Sequence, residues 1–177
     1  IRDRVCTDVE TGRAVYQKAE QGMSIDELCE WIRASASMPL VSRIVEIGGR
    51  KLLDGGVSDS IPLRYFQEIG FQRNVVILTQ PRDYVKQPTS FMPLMRLALR
   101  KYPHMLSALM HRHEMYNAQL RYLEEQEKLG QTLVIAPERK LKINHTSHDP
   151  AIMQEVYDMG KQQGLAELNR IKAFLFA

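Results

Sequence analysis

The sequence predicts an α/β protein, and three observations carry that expectation. Asn74-Val75-Val76-Ile77-Leu78-Thr79 and Thr132-Leu133-Val134-Ile135-Ala136-Pro137 are continuous apolar runs of strand length, the pattern of strands covered on both faces in a parallel or mixed sheet. Amphipathic stretches at helical spacing surround them. A further strand, roughly Arg50 to Leu53, runs into Asp54-Gly55-Gly56 and so puts an acidic residue at a strand end, where open α/β sheets place their chemistry.

Composition narrows the class. The chain has 177 residues, of which 44% are hydrophobic and 25% charged, enough for one domain with a sizeable core. A net charge of +3 does not argue for nucleic acid and allows only weak attraction to anionic surfaces. Cys6 and Cys29 lie far apart without a CxxC spacing, which argues against a disulfide framework or a zinc site and makes a reducing, cytoplasmic-type compartment the default. There is no apolar run of the roughly 18 residues that a membrane span needs, and no signal peptide. The opening Ile1-Arg2-Asp3 goes straight into strand-like sequence, so a piece of a longer protein is expected.

Arg4 to Asp8 reads as a strand, Glu10-Thr11-Gly12 as a turn and Ala14-Val15-Tyr16 as a second strand. Ser24-Ile25-Asp26-Glu27 has the form of a capping box, with Ser24 capping the first turn and Glu27 reaching back. The helix behind it carries Leu28, Trp31 and Ile32, then runs out into Ala34-Ser35-Ala36-Ser37-Met38-Pro39, whose small side chains suit a cramped interface. Arg43 to Ile47 alternates like a strand, and Gly48-Gly49 turns it back into the strand that delivers Asp54. Gly55 and Gly56 permit a tight turn, through φ > 0, and a close backbone approach. Pro62 suits the first turn of a short helix through Phe66, and residues 80–89 read as irregular.

The middle is helical. Phe91 to Lys101 is apolar except for Arg96 and Arg100, four apart on one face. Pro103 starts a longer helix with Leu106, Leu109 and Met110 early and Tyr116, Leu120 and Leu123 later, closed by Gly130. Met92, Met95, Met105, Met110 and Met115 fall in this region; at helical spacing they read first as core and second as an adaptable cover for an acyl chain or a lipid interface. Asp149-Pro150 gives a cap and a first helical position, and Ile152, Val156 and Met159 share a face. Gly164 is expected to separate that helix from a last one that buries Leu165, Leu168, Ile171 and Leu175. No repeat or linker interrupts the chain, so residues 1–177 read as a single domain piece.

Few motifs carry chemistry. His111 and His113 are two apart, hence on different faces of a helix, and share no ligand site. His145, His148 and Asp149 lack a further Glu or Cys at a helpful spacing, and capping accounts for Asp149; neither a metal nor a cofactor is expected. There is no GxGxxG, no GxxxxGK[ST] and no GxSxG, the nearest being Gly22-Met23-Ser24-Ile25-Asp26. Asp-Gly-Gly alone describes a loop in which Asp54 bonds its own backbone.

Together, three stretches resemble the C-terminal part of a bacterial patatin-like phospholipase. Val5-Cys6-Thr7-Asp8-Val9-Glu10-Thr11-Gly12 is similar to that family's TD-x-ETG strand and turn, and Ala34 to Pro39 to its ASxAxP segment. Leu53-Asp54-Gly55-Gly56, followed by Ser58-Asp59-Ser60-Ile61-Pro62, is similar to its DGG…P block, with Val75 to Gln80 as the next strand. The resemblance implies a three-layer α/β/α fold, incomplete here because the N-terminal nucleophile half is absent. It implies a Ser–Asp dyad: the serine of GxSxG attacks an acyl ester, the DGG aspartate takes its proton, and a glycine-rich loop holds the oxyanion. Only the base maps onto this chain, as Asp54, with Gly55 and Gly56 as the active-site turn; Asp59 is assigned to loop hydrogen bonding.

The resulting expectation is the C-terminal portion of a patatin-like serine acyl hydrolase of phospholipase or lysophospholipase type. Its parent would be active, and residues 1–177 alone inactive for want of a nucleophile. The implied partner is a lipid or acyl-ester substrate, with cytoplasmic location and peripheral contact with a membrane surface. Two alternatives stand beside it: a non-catalytic lipid-binding or interaction module of the same fold, and a metal-dependent hydrolase using His145, His148 and Asp54. A truncated sheet with an open edge would also favour self-association.

Overall fold

A computed structural model describes residues 3–20, 22–90, 92–143 and 147–176. In chain order its elements are β1 (Asp3–Asp8), β2 (Ala14–Lys18), α1 (Ile25–Ser35), β3 (Val45–Ile47), β4 (Arg50–Asp54), a single 3-10 turn (Gly55–Val57), α2 (Leu63–Glu68), β5 (Asn74–Ile77), α3 (Met92–Ala98), α4 (Pro103–Lys128), β6 (Thr132–Ile135) and α5 (Pro150–Phe176). They form two compact units, one of residues 1–62 and 86–120, the other of residues 63–85 and 121–177.

The first unit is built on a four-stranded antiparallel sheet in the order β2-β1-β4-β3. Gly48 and Gly49 link β3 to β4 with φ of 56° and 77°; two successive left-handed residues are what a hairpin turn matched to strand twist requires. Across β1 and β4, Cys6 lies opposite Asp54, Thr7 opposite Leu53 and Asp8 opposite Leu52. Successive side chains of a strand point to opposite faces, and Leu52 and Leu53 are both buried, so both faces of this sheet are covered. On one face Cys6, Val45 and Leu52 pack with Trp31 and Ala34 of α1. On the other, Leu53, Val9 and Val57 pack with Leu99, just beyond α3, and with Met105 and Leu109 of α4. The α/β class therefore holds, with helices on both sides of the sheet.

Half of the expected capping box fixes the start of α1: the Ser24 hydroxyl accepts the Glu27 N–H at 3.1 Å, and among the described residues the Glu27 side chain makes no hydrogen bond back to Ser24. Its buried side differs from expectation. Trp31 and Ala34 face the sheet, whereas Ile32 is exposed, because Ile32 sits a full 100° around the helix from Trp31. The small-residue tail does fill a cramped interface, with Ala34 and Ser37 buried.

In the second unit β5 and β6 pair in parallel, Asn74 opposite Thr132 through Ile77 opposite Ile135. All four residues of β6 are buried, as its apolar run predicts, but β5 is covered incompletely and Ile77 is 72% exposed. The last turn of α4 closes with Gln131 N–H on the Gln126 carbonyl and Gly130 N–H on the Glu127 carbonyl, both at 3.0 Å, so Gly130 caps the helix. Asp149 caps α5 through its carboxylate, which accepts the Ala151 N–H at 2.9 Å.

Two expectations about the C-terminal region fail. α5 runs unbroken through Gly164, because a glycine in a helix interior keeps its hydrogen bond and costs only about 1 kcal/mol. Leu165, Leu168 and Leu175 are exposed rather than buried, while the half-buried stripe is Ile152, Val156, Met159, Gln163, Glu167, Ile171 and Phe174 at three- and four-residue steps. No helix among the described residues is long and apolar enough to cross a membrane.

Candidate active-site turn

β4 carries the chain to Asp54, and the backbone there is held on both sides. The Asp54 N–H donates to the Ser37 carbonyl at 2.8 Å, and the Asp54 carbonyl accepts the Thr7 hydroxyl at 2.7 Å. The segment after α1 and strand β1 thus fix the position of Asp54 by hydrogen bonds that a sequence pattern does not show. The chain then folds into the 3-10 turn, with the Asp59 N–H on the Gly55 carbonyl at 2.8 Å.

Close approach requires a glycine at position 55 and leaves little room at position 56; neither residue adopts the positive φ anticipated for the turn. A Cβ on Gly55 would lie 2.2 Å from the Val5 carbonyl oxygen, against the backbone of β1. A Cβ on Gly56 would lie 3.0 Å from Asp54 Oδ1 and 3.4 Å from Arg112 Nη2. The Gly56 N–H donates to Asp54 Oδ1 at 2.6 Å. That bond is the local backbone bond expected of an Asp-Gly-Gly loop.

The turn is tied into its unit at further points. The Gly56 carbonyl accepts Arg112 Nε at 2.7 Å and the Ser60 hydroxyl at 2.6 Å. Asp59 behaves as loop hydrogen bonding predicts: its two oxygens accept the Tyr16 hydroxyl and the Gln119 amide, each at 2.5 Å. Gln119 Oε1 in turn accepts the Ile61 N–H at 3.0 Å. Thr7 and Ser58 share a hydroxyl pair at 2.8 Å.

Asp54 is half-buried, with Oδ1 anchored by the Gly56 N–H, and among the described residues no group hydrogen-bonds Oδ2. A carboxylate with one oxygen fixed and the other open is suited to accept a proton from a neighbouring hydroxyl. Among the described residues no serine hydroxyl bonds this carboxylate: Ser58 pairs with Thr7, Ser60 with the Gly56 carbonyl and Ser37 with the Arg33 carbonyl. Opposite Asp54, burial and then the Asp54 charge push the Cys6 thiol up to about 11, so it is no nucleophile. Burial, with the Arg112 charge adding, lowers the Lys86 ammonium below its ordinary value. Among the described residues no three His, Cys, Asp or Glu side chains cluster to hold a metal ion; His145 lies outside the described residues.

The residues that sequence reasoning missed are Thr7, Tyr16, Ser37, Arg112 and Gln119. One signal was present: Arg112 and Gln119 follow the buried Met105 at seven-residue steps, so polar groups occupy the inward stripe of α4.

Residues 3–66 match the family model of the patatin-like phospholipases. The patatin-like stretch contains all four strands of the first sheet and the whole Asp54 turn. A second family model, described as a domain of unknown function (DUF6363), matches residues 102–176 and so takes in α4, β6 and α5. No curated protein matches the chain.

Proposed function

We propose that this chain is the C-terminal portion of a patatin-like serine acyl hydrolase acting on lipid acyl esters, with Asp54 as general base and Gly55 and Gly56 as its active-site turn. The observation that carries this reading is the Asp54 carboxylate, anchored through one oxygen and open at the other, at a strand end inside the patatin-like stretch. In the proposed reaction a serine outside residues 1–177 attacks the ester carbonyl while its hydroxyl proton passes to Asp54. The alkoxide leaving group takes that proton, and water, deprotonated in its turn by Asp54, releases the fatty acid and restores the serine. Binding at a lipid surface belongs to the same proposal: α3 exposes Leu94 and Leu97, 55% and 68%, beside Arg96. That face equally favours the second reading, a lipid-binding module without catalysis.

The test is hydrolysis of p-nitrophenyl acyl esters by the full-length protein that carries residues 1–177. Asp54→Asn, which keeps the shape and loses the base, is expected to lower kcat by at least about a thousandfold. Full activity in that variant overturns Asp54 as base. Labelling of a serine within residues 1–177 by a fluorophosphonate would overturn the external nucleophile, and absence of hydrolysis in the parent would leave the lipid-binding reading.

A further inference from the structure

We infer that α4, at the head of the stretch matching the domain of unknown function, acts as a clamp on the active-site turn, with Arg112 and Gln119 as its positioning residues. The inference rests on the proposed role of Asp54. Arg112 and Gln119 are seven residues apart, two turns of one helix, and so share a face. That face is anchored one and two turns earlier by Met105 and Leu109, buried in the core against Leu53 of the strand that bears Asp54.

From this rigid support the two side chains reach the turn at separate points. Arg112 Nε donates to the Gly56 carbonyl at 2.7 Å, and Gln119 spans Asp59 and the Ile61 N–H at 2.5 and 3.0 Å. Gly56 is also the residue whose N–H fixes Asp54 Oδ1 at 2.6 Å. Any drift of Gly56 therefore moves the carboxylate. The use of arginine is specific. Among the described residues Arg112 forms no ion pair, and its half-buried guanidinium is directed at a peptide carbonyl instead. A charged donor makes a shorter and stronger bond to that carbonyl than a neutral one. The second family segment thereby holds the proposed base of the first in place.

The experiment uses the full-length protein and reads two quantities, ester-hydrolysis kinetics and amide hydrogen exchange at Gly56. Arg112→Gln is expected to lower kcat about 10- to 100-fold with KM changed less than about twofold, the cost of a base displaced by about 1 Å. Gly56 exchange should quicken in the same variant. Arg112→Lys, whose ammonium can still reach the carbonyl, should recover most of both. Gln119→Ala should quicken exchange from Gly56 to Ile61 and serves if Arg112→Gln does not fold. Unchanged exchange and unchanged kcat in Arg112→Gln, or in Gln119→Ala if that is the variant that folds, overturn the clamp. An active Asp54→Asn variant overturns the base assignment instead, and the exchange measurement still decides whether α4 holds the turn.

Discussion

Asp54 and Cys6 face each other across β1 and β4, in different surroundings. Cys6 is sealed between α1 and the sheet, so its thiol stays protonated to about pH 11, against an ordinary value of 9.0. Asp54 lies at the strand end and is half-buried. Two consequences follow for Cys6. At pH 8 in the native protein a thiol reagent should modify the exposed Cys29 at once and Cys6 only after unfolding. A raised folded-state value also stabilises the fold fully below pH 9 and loses that contribution as pH rises towards 11. The denaturant midpoint should therefore fall between pH 8 and about pH 10.5, and less so in Cys6→Ala. Two equally reactive thiols would contradict both. Asp54 itself was legible in the sequence, because an acid followed by two glycines at a strand end is a local pattern. Arg112 was not: it is one of two arginines on a long helix, and its contact with Gly56 spans 56 residues of chain.

Capping signals in this chain are local and were readable. Ser24, Gly48-Gly49, Gly130 and Asp149-Pro150 each act within a few residues, through side-chain or left-handed backbone geometry that no distant contact overrides. Gly164 was misleading for the converse reason. Its cost of about 1 kcal/mol in a helix is small beside the gain from continuing hydrogen bonds and a half-buried stripe through 27 residues. A Cβ at Gly160 or Gly164 would meet nothing within 4 Å. Gly160→Ala and Gly164→Ala are each expected to stabilise the fold by about 0.5–1 kcal/mol, seen as a rise in Tm. A fall in Tm would mean that this side of α5 is packed in solution.

At the scale of the molecule, surface chemistry is weakly basic overall, at +3, and apolar where α3 exposes Leu94 and Leu97. Binding to anionic phospholipid vesicles should fall by at least about tenfold in Leu94→Ser/Leu97→Ser, since each leucine buried in lipid contributes about 1.5–3 kcal/mol. Neutralising Arg96 and Arg100 should instead remove most of the salt dependence. Unchanged vesicle binding in both variants would exclude α3 as the contact. By itself the sequence determined the α/β class, the hairpins, the caps and the candidate base, because periodicity, turn chemistry and short motifs are written in neighbouring residues. The tertiary structure alone decided which apolar positions are buried, that both glycines of the turn answer to close approach, and that α4 reaches the Asp54 turn. Those depend on contacts between residues tens of positions apart, which local pattern does not encode.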